Sequence, residues 1–135
     1  MELKIRLTKE TDYNELTDWW KWHRFPAPSI ELIDNLRLGL IVSDGNENIC
    51  AGFIFITNAN AFGILEYVVS TYKIKNREKR KKAISFLILS LKEMAKKQGI
   101  KTIFTSVKNN NLKNHYLNTG FCIGSEGTTE MYCNI

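Results

Sequence analysis

The chain has 135 residues, with 19 Lys and Arg against 14 Asp and Glu, so its formal net charge is +5. This length suits one domain, residues 1–135, and because no apolar run approaches the roughly 20 residues that cross a bilayer, we expect a soluble protein without a membrane span. Its three cysteines form no Cys-x-x-Cys or metal-ligand pattern, so we expect a reduced, cytoplasmic protein without a metal site.

The N-terminal third predicts one strand and two helices. Apolar and charged residues alternate over residues 2–7, which is the pattern of a half-buried strand. Residues 11–22 follow a threonine that can cap a helix, and their apolar side chains recur at helical spacing. Two prolines then break the chain, and residues 29–36, which begin with a serine cap, predict a short second helix.

Three strands are predicted in the middle of the chain. Runs rich in β-branched and aromatic residues cover residues 38–42, 49–57 and 62–71. An Asp-Gly dipeptide separates the first two runs, and an Asn-rich turn separates the second from the third. Because the connections are short, we expect the three strands to form an antiparallel meander.

The stretch from Ser70 to Gly99 predicts a basic segment and then a long amphipathic helix, closed by a glycine that permits the left-handed conformation. Between Lys73 and Lys101 there are 11 Lys and Arg against two Glu. The unpaired N–H groups and positive dipole end of such a helix suit phosphate, although the same cations would equally suit the solvated face of a surface helix. The apolar residues that predict its buried face are Ala83, Phe86, Leu87, Leu91, Met94 and Ala95.

The last third predicts a strand over residues 102–107, a helix over 109–119 and two short strands over 121–123 and 130–133. A helical crossover should place the first of these strands parallel to the strand before it. The element order therefore predicts an α+β fold with a mixed, mostly antiparallel central sheet flanked by helices.

One spacing in the last third resembles the GNAT acetyltransferase superfamily. Asn109 precedes Tyr116 by seven residues, and Gly120-Phe121 follows after three more. In that superfamily the helix that carries the tyrosine borders the acetyl-CoA tail, and the hydroxyl can protonate the departing thiolate. The resemblance therefore implies that Asn109 binds the cofactor and that Tyr116 is the general acid. A tyrosine beside Gly-Phe is equally suited to be a core residue.

A second match concerns the superfamily's pyrophosphate loop, usually (Q/R)-x-x-G-x-(G/A), which corresponds here to residues 80–85. Ala83 and Ser85 stand where Gly, and Gly or Ala, are usual. Glycines let a backbone approach phosphate closely, so their replacement reshapes the cradle. The residues that the resemblance implies for pyrophosphate binding are Arg80, Lys81, Lys82, Ala83 and Ser85.

The whole chain also resembles small acetyltransferase-like proteins of phage genomes. The shared features are an early Trp-rich helix, a Leu-Glu-aromatic-Val-Val-Ser strand and an Arg-led helix without the full glycine pattern. This second resemblance supports the fold more than any particular reaction.

Glu66 is the only acid in an otherwise apolar predicted strand. If it faces a cleft, burial would raise its pKa toward the range of a general base, and the resemblance implies that it deprotonates the acceptor amine. An exposed side chain or a structural ion pair is the alternative. The backbone of Val68, Val69 and Ser70 is expected to receive the acetyl carbonyl and pantetheine, because a splayed strand leaves N–H groups to donate.

The first predicted helix carries Trp19, Trp20 and Trp22, followed by His23. Adjacent helical positions point about 100° apart, so at least one of these rings should be exposed. In the related fold this helix borders the acceptor cleft, which makes Trp19, Trp20 and His23 candidate substrate contacts. Core packing with one exposed ring is the alternative. Acidic residues in the same region would suit a cationic amine.

The sequence thus predicts an acetyl-CoA-dependent N-acetyltransferase that acts on a primary amine by direct transfer in a ternary complex. Acetyl-CoA would be a co-substrate, the acceptor a small-molecule or macromolecular amine, and the protein a monomer or homodimer. The alternative is a non-catalytic protein of the same fold that recognises nucleic acid or a host protein through its basic helix. The replaced glycines favour this alternative, and the sequence pI of about 9.1 permits it.

Overall fold

The structure is a computed structural model that describes residues 2–135. The chain divides into two compact units, of which the first ends at Thr105 and the second spans Ser106–Ile135. The prediction of a single domain stays a prediction. No helix in the described part of the chain is both long enough and apolar enough to cross a lipid bilayer.

The first unit contains a five-stranded sheet and two α-helices, and the second unit contains one α-helix within the described residues. In chain order the elements of the first unit are β1 (Lys4–Leu7), a 3-10 turn (Glu10–Asp12), α1 (Tyr13–Trp22), a second 3-10 turn (Asp34–Leu36), β2 (Gly39–Ser43), β3 (Asn48–Ile56), β4 (Phe62–Ser70), α2 (Arg77–Lys97) and β5 (Thr102–Phe104). The second unit contains α3 (Asn110–Asn118).

The strands lie in the order β1-β2-β3-β4-β5. Each of the first four is antiparallel to its neighbour, and β5 is parallel to β4. The sequence predictions of an antiparallel meander and of a parallel fifth strand are therefore confirmed. The parallel pair follows from the α2 crossover, because a short turn can join only antiparallel neighbours.

One face of the sheet is covered by α1. Leu16, Trp19 and Trp20 of this helix are buried in one core cluster with Phe53 of β3 and Val69 of β4. We call this side of the sheet the α1 face. The spacing of the three helical residues places them on one stripe of α1, which explains why the helix docks along it.

The other face is covered by α2. Four of the six residues predicted for the buried side of this helix are fully buried, whereas Phe86 and Met94 are half-buried. A Cβ on Gly52 of β3 would lie 3.0 Å from Leu91 Cδ1, so glycine at this position lets α2 approach the sheet. The helix ends as predicted, because Gly99 adopts a φ of +84° directly after its last residues.

The predicted helix over residues 29–36 is wrong. Only Asp34–Leu36 form a 3-10 turn, and Asp34, Asn35 and Leu36 have φ values of +49°, +53° and +65°. A right-handed helix cannot contain a left-handed backbone of this kind. The segment is instead an irregular connection that enters β2.

The two predicted strands of the last third are also wrong, because the structure has no strand in Ser106–Ile135. These runs of three and four residues are separated by Gly124 and Gly127, and a two-stranded pair of this length is marginal in stability. Met131 and Tyr132 are accordingly exposed, at 86% and 88%. The fold class is nevertheless the predicted one, a mixed sheet flanked by helices.

Candidate functional site

Strand β4 carries a β-bulge near its middle. Ala51 of β3 pairs with Val69, but Phe53 of β3 pairs with Glu66. One residue of β3 therefore lies opposite two residues of β4, which defines a bulge. Because the ladder is locally interrupted there, the bulge is the place along β4 where backbone groups can turn toward a ligand.

Tyr67 is the first residue of the bulge, and its φ is +59°. This left-handed conformation is strained for a bulky residue, at a cost of about 1–3 kcal/mol, and it persists only where neighbouring contacts enforce it. The Tyr67 ring makes edge contacts with Trp20, Phe25 and Phe55, at centroid separations of 6.2, 6.2 and 6.0 Å. These aromatic contacts hold the strained residue in place.

The bulge also determines which way Glu66 faces. Directly paired residues of neighbouring strands present their side chains on the same face, and Glu66 pairs with Phe53 of the α1 face. Tyr67 packs against the same core cluster. In a regular strand two consecutive residues would face opposite ways, so it is the bulge that puts both on the α1 face. A half-buried carboxylate is thereby placed beside aromatic rings.

The three residues after the bulge were predicted to receive the acyl donor with their backbone. Val68 is half-buried, and Val69 is buried in the core of the α1 face. The carbonyl oxygen of Ser70 lies 2.9 Å from His23 Nε2, and since a carbonyl only accepts, Nε2 carries the proton. The structure thus brings the predicted acceptor contact His23 to the predicted donor contact Ser70.

Two of the predicted substrate contacts are corrected. Trp19 and Trp20 are only 1% and 2% exposed, because they form the stripe by which α1 docks on the sheet, and they cannot reach a ligand. The exposed ring is Trp22, which is 57% exposed and stacks on Tyr72 at a centroid distance of 5.0 Å. Core packing with one exposed ring is therefore the correct interpretation of this Trp-rich helix.

The acidic residues near α1 mostly have partners of their own. Asp12 accepts two hydrogen bonds from Arg6, both at 2.9 Å, and this guanidinium holds the pKa of Asp12 below its usual value. Three more of these carboxylates contact a neighbouring side chain: Glu15 contacts Asn48, Asp18 contacts Tyr72, and Asp34 contacts Arg37. Because these carboxylates already have partners, they are poor candidates for binding a cationic acceptor.

The segment that resembles the pyrophosphate loop is helical throughout. Asn76 caps α2 by accepting a hydrogen bond from the Lys79 N–H, and the Arg80 N–H already donates to the Asn76 carbonyl. Residues 80–85 therefore do not form the backbone cradle that the family motif implies, because backbone N–H groups from Arg80 onward bond within the helix. Ala83 is also fully buried against the sheet and cannot contact a cofactor.

Several side chains of this segment, unlike its backbone N–H groups, remain accessible to a ligand. Lys81 and Lys82 are exposed on the second turn of α2, and Arg80 and Ser85 are half-buried. Phosphate could be bound by these cations and by the amides of the first turn, but not by a glycine-rich backbone cradle.

Lys79 has a structural partner that the sequence did not reveal. Its ammonium group contacts the Asp44 carboxylate, which also accepts hydrogen bonds from the backbone of Asn46 and Glu47. The Lys79 ammonium and these amides hold the pKa of Asp44 well below its usual value. The pair fastens the first turn of α2 to the turn between β2 and β3, so Lys79 belongs to the scaffold of the site.

The second unit holds the two remaining predicted residues. Asn109 caps α3, since its Oδ1 accepts a hydrogen bond from the Leu112 N–H at 3.0 Å. Tyr116 is 4% exposed, and its ring packs on Phe121 at a centroid distance of 4.9 Å. The predicted packing of this tyrosine beside Gly-Phe is confirmed, whereas cofactor binding by Asn109 and the general-acid role of Tyr116 stay predictions.

Similar solved structures identify the fold. N-acetylglutamate synthase from Neisseria gonorrhoeae, in complex with coenzyme A and N-acetyl-glutamate, matches with a TM-score of 0.71 and 14% identity over 93% of this chain and 30% of that one. An acetyltransferase from Trypanosoma brucei matches with a TM-score of 0.66 and 16% identity over 99% of this chain and 100% of that one. A transcriptional regulator from Bacillus halodurans C-125 matches with a TM-score of 0.72 and 15% identity, covering 97% and 100%.

No family model matches the sequence, and no curated protein matches it. At these identities the similarity to the solved structures is one of fold. The resemblance to phage proteins stays a prediction.

Proposed function

We propose that this chain, which has the fold of the GNAT acyl-CoA N-acyltransferases, transfers an acetyl group from acetyl-CoA to a primary amine. The observation that carries the proposal is the bulge in β4, which turns Glu66 to the α1 face beside the interrupted ladder. Backbone N–H groups at such a bulge can donate to the carbonyl of a thioester, and a carboxylate next to it can accept a proton from an amine.

The residues would divide the chemistry as follows. Glu66 accepts the proton that the amine loses, directly or through a water molecule, as the amine nitrogen bonds to the acetyl carbon. The N–H groups of Val68 and Ser70, which point away from β3 because the intervening Val69 pairs with Ala51, stabilise the negative charge that develops on the carbonyl oxygen. Tyr116 gives its proton to the sulfur as the carbon–sulfur bond breaks. The transfer is direct, so no acyl-enzyme forms.

The start of α2 fits the phosphate groups of the acyl donor. Arg77 and Glu78 occupy the first helical positions, where backbone N–H groups lack intrahelical acceptors. Arg80, Lys81 and Lys82 add three cations on the next turn. The positive end of the helix dipole acts in the same direction, which supports binding of a pyrophosphate without glycines.

Thermal unfolding with and without saturating acetyl-CoA tests donor binding, with free CoA and an unrelated polyanion as controls. Ligand at about a hundred times its dissociation constant adds roughly 2.7 kcal/mol of stability, which is several degrees for a chain of this size. We expect both CoA compounds to raise the midpoint and the polyanion to do so much less. An equal shift with every polyanion would contradict a CoA site.

A second function is proposed from the same helix. The exposed cations of α2, together with its helical start in place of a glycine-rich loop, favour a non-catalytic protein that binds nucleic acid or a host protein. Binding to DNA or RNA would then weaken steeply as salt is raised, because phosphate contacts release counterions. Acetyl transfer to any amine would exclude this second function as the sole activity.

A further inference from the structure

A small cavity lies on the α1 face, close to the bulge. It measures about 90 Å³ and lies between the end of β3 and the segment that enters β2. Its apolar wall is formed by six residues: Ile33, Leu38, Phe53, Ile54, Phe55 and Ile56. Asp34 and Arg37 also line it, but they form an ion pair with each other at 2.6 Å, so their charges largely cancel.

Two side chains that line the cavity also contact or pair with residues of the bulge. Phe53, which lines the cavity, is the direct cross-strand partner of Glu66, and paired side chains have Cβ atoms roughly 4.5–5.5 Å apart. Phe55, also in the wall, contacts the strained Tyr67 with a ring separation of 6.0 Å. A molecule bound in the cavity would therefore contact Phe53 and Phe55, the two side chains that lie between the cavity and the bulge.

A second observation points to the same place. Three consecutive residues with positive φ, Asp34 to Leu36, form the turn that positions the cavity wall, with Ile33 before it and Leu38 shortly after it. Backbone strain of this kind is maintained only where the surroundings enforce it, and it is concentrated at ligand-binding sites. Leu36 is fully buried and anchors the turn.

We propose that this cavity binds the aliphatic part of the acceptor, so that the chain acetylates primary amines that carry a short alkyl group. The inference rests on the proposed function. A dry cavity of about 150 Å³ holds benzene, so one of about 90 Å³ is too small for an aromatic ring. At roughly 30 Å³ for a water-sized group, it has room for about three methylene or methyl groups. With Asp34 paired to Arg37, the cavity offers little to a charged side chain.

The first test measures kcat/KM for acetyl transfer from acetyl-CoA to unbranched amines from ethylamine to hexylamine. Each methylene that enters the cavity should raise kcat/KM about fourfold, and the rise should end at about butylamine. A kcat/KM that is independent of chain length would overturn the inference, and so would a steady rise through hexylamine.

Two substitutions at Leu38 change the size of the cavity in opposite directions. This side chain is half-buried, and its backbone carbonyl accepts a hydrogen bond from the Ile54 N–H at 3.0 Å, a bond that both substitutions leave in place. Leu38→Phe should shorten the preferred amine by at least one methylene, and Leu38→Ala should lengthen it. Leu32→Phe and Leu32→Ala are matched controls, because Leu32 is 62% exposed on the same segment and does not line the cavity.

Amine binding is also measured without acetyl-CoA, from changes in the NMR signals of Phe53 and Phe55. Transfer at a rate independent of chain length would overturn the alkyl site and leave the acetyltransferase standing. Length-dependent binding that follows the Leu38 substitutions, without transfer to any amine, would support the alkyl site and overturn the acetyltransferase. If the chain shows neither amine binding nor acetyl transfer, both the alkyl site and the acetyltransferase are overturned.

Discussion

The imidazole of His23 donates a hydrogen bond from Nε2 to the carbonyl oxygen of Ser70, at a distance of 2.9 Å. This contact joins the end of α1 to the end of β4, 47 residues away in the sequence. It ties the helix that carries the aromatic core to the strand that carries the bulge. The geometry of the candidate site therefore depends on a contact between its two sides.

Replacement of His23 by alanine should weaken this connection. Because one hydrogen bond is lost, we expect the free energy of unfolding to fall by about 1 kcal/mol in urea denaturation. Lys21→Ala, at an exposed position of the same helix, is the control and should change stability by less than about 0.5 kcal/mol. If the two variants have the same free energy of unfolding, the hydrogen bond between His23 and Ser70 does not contribute to stability.

Glu66→Gln tests the proposed base with almost no change in side-chain size. Loss of the proton acceptor should lower kcat at least about a hundredfold and leave the KM for acetyl-CoA unchanged, as measured by release of free thiol. Glu93→Gln, on an exposed position of α2, should retain full activity. If both variants have the same kcat as the unmodified chain, Glu66 is not the base.

Tyr116→Phe tests the proposed general acid. Removal of the hydroxyl should lower turnover by about a hundredfold, with little change in affinity for acetyl-CoA, because the ring and its packing on Phe121 remain. Tyr132→Phe is the control in the same unit, since Tyr132 is 88% exposed. An unchanged rate would remove Tyr116 from the mechanism.

The Asp44–Lys79 pair predicts a dependence of stability on pH. The pKa of Asp44 in the folded chain lies below its ordinary value of 3.8, so the pair stabilises fully above that value and progressively less as the pH falls below it. Asp44→Asn should therefore lower the unfolding temperature at pH 7, and this difference should shrink below pH 3.8.

The matched control for Asp44 is Glu47→Gln in the same turn. Its backbone N–H, which donates to Asp44, is unaffected by the change. A loss of stability in Asp44→Asn that stays the same at all pH values would assign the effect to packing and not to charge.

Much of the fold follows from patterns along the chain. The alternation in residues 2–7 and the helical spacing of residues 83–95 are consequences of burial on one side of an element, and they predicted β1 and α2. The meander followed from short turns between apolar runs. These features depend on residues that are close together in the chain, so they can be predicted from the sequence.

The features that shape the site are not local. Nothing in the apolar run of β4 signals a positive φ at Tyr67, because the bulge depends on the contacts of its ring with Trp20, Phe25 and Phe55. The left-handed turn of the segment before β2 is likewise held by burial of Leu36. The burial of Trp20 depends on how α1 docks on the sheet.

Gly52 lies opposite the bulge on β3, and a Cβ there would come within 3.0 Å of both Val68 on the strand and Leu91 on α2. Strand β4 and helix α2 therefore both pack closely on position 52 because glycine has no side chain there. A side chain at this position would press on Leu91 of the helix that supplies the cations and on Val68 of the strand that supplies the carboxylate. The choice of residue at position 52 therefore affects the spacing of both halves of the site at once.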